Sequence, residues 1–257
     1  MYLIDSHCHL DAAEFDSDRE QVIQRSLTAG VAQQIVPAVA FSNWPRLKQV
    51  CLQTSGLFPA YGLHPMYLAE HRPEHIDRLR QWIEQERPHA IGECGLDFHV
   101  DGLDPILQQH YFEAQLQLAL AYDLPVIIHA RRALDMVIGL IHRTGSGLRG
   151  VVHSFSGSPE QMAQLFKLGF LIGIGGPVTY ERAQRLRRLM AVVPLEQLLL
   201  ETDSPDQPDA GIRGQRNEPA RLAVILETVA GLRNQPAIEI ARQTAENARK
   251  LFSLPSV

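Results

Sequence analysis

The feature that most constrains the fold is an alternation. Short apolar runs rich in Val, Ile and Leu recur along the chain, each followed by a longer amphipathic segment. Eight such pairs can be marked. The strand candidates are YLIDSHCH from Tyr2, IVPAVA from Ile35, FPAYGLHP from Phe58, AIGECGLD from Ala90, PVIIHA from Pro125, GVVHSF from Gly150, FLIGIGG from Phe170 and QLLLETD from Gln197. The segments between them read as helices. One runs from Asp104 to Asp123, with apolar Ile106, Leu107, Phe112, Leu116 and Leu120, and a last one is expected from about Pro236 to Leu251. No Pro/Gly/Ser-rich linker and no low-complexity tract interrupts the alternation. Eight units of this kind predict a single (β/α)8 TIM barrel domain over residues 1–257, whereas six or fewer strands would have favoured an open doubly wound sheet.

The 257 residues are 45% hydrophobic and 21% charged, enough apolar material for a large core. A formal charge of −5 supplies no global positive field to gather a polyanion, so any phosphate binding must be local. Three cysteines without a Cys-x-x-Cys pair do not make a disulfide framework and fit a reducing, cytoplasmic compartment. The N-terminus lacks a basic region followed by an apolar one, and no stretch of about 18 apolar residues occurs. Neither a signal peptide nor a membrane partner is expected, and nothing points to an obligate protein partner.

In a barrel the working face lies at the C-terminal ends of the strands, so a titratable residue where an apolar run stops is a candidate for chemistry. His7 and His9 end the first run, Glu93 the fourth, His129 the fifth, His153 the sixth and Asp203 the eighth. Strand parity would aim His7 and His9 to one face with Cys8 on the other, and would pair Glu93, His129 and His153 with Ile91, Ile127 and Val151 deeper in the barrel. Any one of these residues alone is weak evidence; their joint placement at five run ends is the signal. Four imidazoles and two carboxylates gathered at one mouth need a partner, and divalent metal provides it. Imidazole with carboxylate suits zinc, manganese, iron or cobalt, and six ligands exceed what one tetrahedral ion uses. Two ions with a bridging carboxylate are therefore expected.

The segments DSHCHLD, GLHP, IGECGLDFH, LPVIIHAR, VVHSFSGS and LLLETDSP resemble, in order, the motifs of the TatD family of metal-dependent hydrolases, over nearly the whole chain. IGIGGPVTYER, ETDSPDQP and QRNEP are most similar to its YjjV-like branch. The resemblance implies a TIM barrel of the amidohydrolase type. It also implies that His7, His9, Glu93, His129, His153 and Asp203 are metal ligands, and it raises phosphodiester cleavage, as in deoxyribonucleases stimulated by magnesium or manganese, above other hydrolysis. Some members lack the N-terminal His-x-His pair that this sequence keeps. The cofactor expectation is two divalent ions, Zn, Mn or Mg, and the partner expectation is DNA or another phosphodiester. The alternative is an amidohydrolase or esterase cleaving a C–N or C–O bond of a small molecule.

In the expected mechanism a water of lowered pKa is aligned for in-line attack on phosphorus, with Asp203 as ligand and proton acceptor and Glu93 bridging. Glu201 and Asp5 are candidates to orient a ligand imidazole, or else to make buried structural hydrogen bonds. His64 reads as a substrate contact or proton shuttle, against a turn-stabilising role beside Pro65. Arg131, Arg132, Arg213 and Arg216 could offer phosphate forks, or be solvated. Ser154, Ser156 and Gly157 follow the sixth run. Gly173, Gly175 and Gly176 close the seventh, where a phosphate cradle and simple relief of crowding are both open. Trp82 with Leu79 and Ile83 reads as a packing helix face, not a platform for bases.

Overall fold

The computed structural model describes residues 2–255. Its eight strands form one sheet in chain order: β1 (Leu3–Asp5), β2 (Val31–Pro37), β3 (Leu57–Tyr61), β4 (Ala90–Asp97), β5 (Val126–Arg131), β6 (Gly150–Val152), β7 (Phe170–Ile174) and β8 (Leu198–Leu200). The pairings of β1 with β2, β3 with β4, β4 with β5, β5 with β6 and β7 with β8 are parallel. Helices alternate with the strands: α1 (Arg19–Thr28), α2 (Trp44–Gln53), α3 (Glu74–Glu86), α4 (Pro105–Ala121), α5 (Leu134–Thr144), α6 (Pro159–Lys167), α7 (Gln184–Val192), α8 (Leu222–Arg233) and a final α9 (Ala237–Phe252). This is the (β/α)8 class that the alternation predicts. No helix among the described residues is long and apolar enough to cross a membrane.

The contacts group into two compact units. The first comprises Met1–Val36, Leu52–Leu57 and Ile172–Val257. Its strand residues Leu3, Val31, Ile35, Ile172, Leu198 and Leu199 are buried almost completely, which is why these runs are continuously apolar rather than alternating. α9 lays Ile240, Thr244, Ala248 and Leu251 inward at helical spacing. Its buried Asn247 donates to the carbonyls of Leu195 and Leu198 at 2.8 and 2.9 Å, fixing the entry of β8.

The second unit comprises Pro37–Cys51 and Phe58–Leu171. β4 is buried at every position. α4 starts where Asp104 accepts from the backbone N–H groups of Ile106 and Leu107, with Pro105 in the first turn, where a missing N–H costs nothing. Two buried glutamines of α4, seven residues apart and so on one face, clamp the strand ends that carry the site. Gln108 accepts from Asp97 N at 2.7 Å and donates to Asp97 O at 2.9 Å. Gln115 accepts from Leu63 N at 2.8 Å and donates to Leu63 O at 3.2 Å. Trp82 packs on Trp44 and Tyr61 with centroids 5.7 and 5.6 Å away, and Leu79 and Ile83 are buried beside it on α3, as the helix-face reading expects.

Several strands are shorter than their apolar runs. β1 stops at Asp5, β6 at Val152 and β8 at Leu200. His7, His9, His153, Glu201 and Asp203 therefore follow strands rather than lying in them. Past these points the backbone still bonds to neighbouring strands, Ser6 N to Leu200 O, Cys8 N to Ile35 O, His153 N to Ile128 O and Glu201 N to Ile174 O, and the Nε2 atoms of His7 and His9 meet as alternation expects. In β4 the register shifts between Ile91, opposite Val126, and Cys94, opposite Ile128. Gly92 and Glu93 there face Ile127 alone, so the Ile91–Glu93 parity lapses and the bulge sets the aim of Glu93. Only Ile127 and His129 share an unbroken strand.

Candidate metal centre

In the first unit, four backbone hydrogen bonds fold the ends of β1 and β8 around His7, His9 and Asp203. Ser6 N donates to Leu200 O at 3.0 Å, Cys8 N to Ile35 O at 3.1 Å, His9 N to Ser204 O at 2.7 Å and Asp203 N to His7 O at 2.8 Å. Asp203 takes a left-handed φ of 57°, a conformation that Asp tolerates better than most residues. Its Oδ2 accepts from the Gln207 amide. The Nε2 atoms of His7 and His9 lie 3.2 Å apart, and Asp203 Oδ1 lies 3.4 and 3.6 Å from them.

In the second unit a similar triangle forms. Glu93 Oε1 lies 2.9 Å from His153 Nε2 and 3.2 Å from His129 Nδ1, and those two nitrogens are 3.3 Å apart. Ligands about 2.0–2.1 Å from a tetrahedral or octahedral ion are separated by about 3.0–3.4 Å, so both triangles have near the edge length that a divalent cation imposes. Ring nitrogens turned toward one another beside a carboxylate oxygen are poorly satisfied by protons alone. Two nitrogens and one oxygen in each triangle are the donor set for a borderline ion, and the residues present fit such a group.

Asp97, not marked in the sequence reading, completes the second cluster. Its Oδ2 is 3.0 Å from His129 Nε2, while Oδ1 accepts from the backbone N–H of His99 at 2.8 Å and of Val100 at 3.1 Å. Burial pushes this carboxyl up, but the hydrogen bonds from His129, His99 and Val100 outweigh it and hold the pKa down to about 2. An anionic Asp97 fixes the His129 proton on Nε2 and leaves the Nδ1 lone pair facing Glu93 and His153. The signal was present in the sequence, since Asp97 is a carboxylate four residues past Glu93, at the close of the segment AIGECGLD.

His64 touches the same carboxylate from the other side, with Nε2 3.0 Å from Glu93 Oε1. Its Nδ1 accepts from Met66 N–H at 3.1 Å, so the neutral ring carries its proton on Nε2 and donates it to Glu93 instead of offering a lone pair. Burial drives the His64 pKa down to about 4 against the pull of Glu93, which keeps the ring neutral at pH 7. The nitrogen that receives Met66 N–H also caps the turn Pro65–Glu70, so His64 serves the turn as well as the cluster.

Asp5 is wholly buried and accepts from Thr202 Oγ1 at 2.6 Å, Thr202 N at 2.9 Å and His7 N at 3.2 Å. Burial raises its pKa to about 8 despite those bonds. It ties backbone to backbone at the ends of β1 and β8. Glu201, also fully buried, lies 3.5 Å from Ser6 Oγ and fills the space left by Gly173, where a Cβ would fall 2.1 Å from Glu201 Oε2. At Gly176 a Cβ would meet Gln207 O at 2.1 Å. Close packing against the β8 loop thus accounts for these two glycines.

Ser154 is half-buried directly after His153, and Arg131, Arg132 and Arg213 are exposed. Arg216 is engaged elsewhere. It forks onto Asp18 at 2.8 and 2.7 Å, reaches Glu14 O at 2.5 Å, and stacks over the Phe15 ring at 4.7 Å.

Residues 4–253 match the family model described as TatD related DNase. The chain is 42% identical, over 98% of both chains, to an Escherichia coli K12 protein described as the uncharacterized metal-dependent hydrolase YjjV. The crystal structure of that protein superposes with a TM-score of 0.93 over 98% of each chain, at 40% identity. An Erwinia tasmaniensis protein described as the 3'-5' ssDNA/RNA exonuclease TatD is 36% identical over 98% of this chain and 100% of its own. An amidohydrolase from Burkholderia multivorans shares the fold, with a TM-score of 0.64 at 14% identity over 99% of this chain and 100% of its own. With a family match across nearly its whole length and relatives this similar, the chain belongs to the TatD family of metal-dependent hydrolases.

Proposed function

We propose that the chain is a divalent-metal-dependent phosphodiesterase that trims single-stranded nucleic acid in the cytoplasm. His7, His9 and Asp203 hold one ion; Glu93, His129 and His153 hold a second. The observation that carries the metal reading is the pair of triangles, each with two imidazole nitrogens and one carboxylate oxygen at 2.9–3.6 Å. The nucleic-acid reading is supported by 36% identity to a protein described as a 3'-5' ssDNA/RNA exonuclease.

Bound divalent ions supply Lewis-acid polarisation of a phosphoryl oxygen and a water of lowered pKa. The side chains do the rest. Asp203, whose side chain is 12% exposed while His7 is wholly enclosed, accepts the proton of the attacking water. His64 donates its Nε2 proton to Glu93 and holds that carboxylate in place without adding charge. Asp97 keeps the His129 ring in the tautomer that presents Nδ1. Arg131, the last residue of β5, and Ser154, two residues past β6, are proposed contacts for substrate phosphate.

The test is incubation of end-labelled single-stranded DNA with metal-loaded protein in Mg²⁺ or Mn²⁺, beside Asp203→Ala and Glu93→Ala. Shortening by wild type alone is expected, with a loss of about 10³-fold or more in the variants. An inert wild type on DNA, with turnover of small amides or esters, would move the function to C–N or C–O cleavage.

A further inference from the structure

We propose that an arginine row leading away from the β7 and β8 loops is the track for the phosphate backbone of a single-stranded nucleic acid. The inference rests on the nucleic-acid reading above and deepens it. Arg182, Arg185 and Arg188 are spaced by three residues from just before α7 into its middle and all are exposed. Arg213, in the loop after β8, is exposed too. Between Gly176 and Val193 there are four arginines and a single acid, Glu181, in a chain whose net charge is −5.

Several arginines elsewhere in this protein are ion-paired. Arg19 pairs with Asp16, Arg25 with Glu218, Arg143 with Glu113, Arg149 with Asp123, Arg216 with Asp18 and Arg221 with Asp209. Among the described residues, Arg182, Arg188 and Arg213 make no ion pair. The row is also anchored. Arg182 stacks over the Tyr180 ring at 5.4 Å, and Tyr180 donates its hydroxyl proton to Pro208 O at 2.9 Å, five residues beyond Asp203. Ala210 N donates to Thr179 Oγ1 at 2.8 Å, and Arg187 donates to Val178 O at 3.0 Å, so the β7 loop, the β8 loop and α7 are held together. The β8 loop that follows Asp203 is thus bonded to the β7 loop that precedes Arg182, and guanidinium groups suit successive phosphates better than point charges do.

The row is tested by replacing Arg182, Arg188 and Arg213 together with Gln, and in a second variant with Lys, in the metal-loaded full chain. KM and kcat are measured across 50–200 mM salt on a single-stranded 20-mer and on the p-nitrophenyl ester of thymidine 5'-phosphate. Neutralising single-strand phosphates contributes about 0.7 per contact to the salt slope, so the Gln variant is expected to lose about 2 from the slope of log KM against log salt for the 20-mer. Its kcat on the small diester is expected to match wild type, and the Lys variant to keep most of the slope. An unchanged 20-mer slope in the Gln variant, with wild type active on DNA, overturns the row alone. A wild type inactive on both substrates overturns the nucleic-acid reading and the row with it.

Discussion

Asp97 shows how one side chain decides what another can bind. Replaced by Asn, it still offers Oδ1 to the His99 and Val100 N–H groups, but its amide would face His129 Nε2 as a donor. The imidazole proton then moves to Nδ1, where the lone pair is needed. Asp97→Asn is expected to weaken metal binding 10- to 100-fold in chelator competition while circular dichroism is unchanged. A second buried carboxylate is purely structural. Asp209 accepts from Arg221 at 2.6 and 2.9 Å and from Gly211 N at 2.8 Å. Burial pushes its carboxyl up, but Arg221 and Gly211 outweigh that and hold it below the usual carboxylate range. A depressed carboxylate stabilises the fold above its unfolded pKa, and that stability is lost as pH falls through the folded value. Asp209→Asn is thus expected to cost about 2 kcal/mol at pH 7 in urea melts. The gap to wild type should close as the pH drops below about 4.

At the scale of elements, the site is held by helix amides as much as by strands. Gln108 satisfies both the N–H and the C=O of Asp97, and Gln115 does the same for Leu63, just before His64. Gln108→Met keeps the volume but leaves two buried backbone groups without that partner. It is expected to cost about 2–4 kcal/mol, since each unsatisfied buried group costs about 1–3 kcal/mol. The same change should also weaken metal binding, because Asp97 is the backing of His129. Equal metal affinity in Gln108→Met and wild type would separate the clamp from the site.

At the scale of the whole molecule, we propose that residues 1–257 fold as one domain. Trp44 and Trp82 both lie in the second unit, so their fluorescence reports it, whereas far-UV circular dichroism reports every helix. Coincident urea transitions by the two signals are expected; separated midpoints would make the units independent. Metal should add to this stability by mass action. At a free ion concentration 100 times Kd the gain is about 2.7 kcal/mol per site, so chelation is expected to lower the melting temperature measurably.

The order of the fold was legible in the chain because each buried parallel strand must be apolar on both faces, and eight such runs alternate with amphipathic stretches. The residues of the site were legible because imidazoles and carboxylates are out of place where an apolar run stops. Period-two alternation accounts for the shared aim of His7 and His9 but not for that of Glu93 or Asp203. β1 and β8 end two or more residues before His7 and Asp203, and β4 carries a bulge at Glu93, so backbone bonds made by the segments past the strand ends and a left-handed Asp203 set the geometry. Nor could the chain alone separate a paired arginine from a free one. Arg216 meets Asp18, 198 residues away in the chain, only because folding brings the two segments together, and local pattern carries no information about which partner tertiary folding delivers.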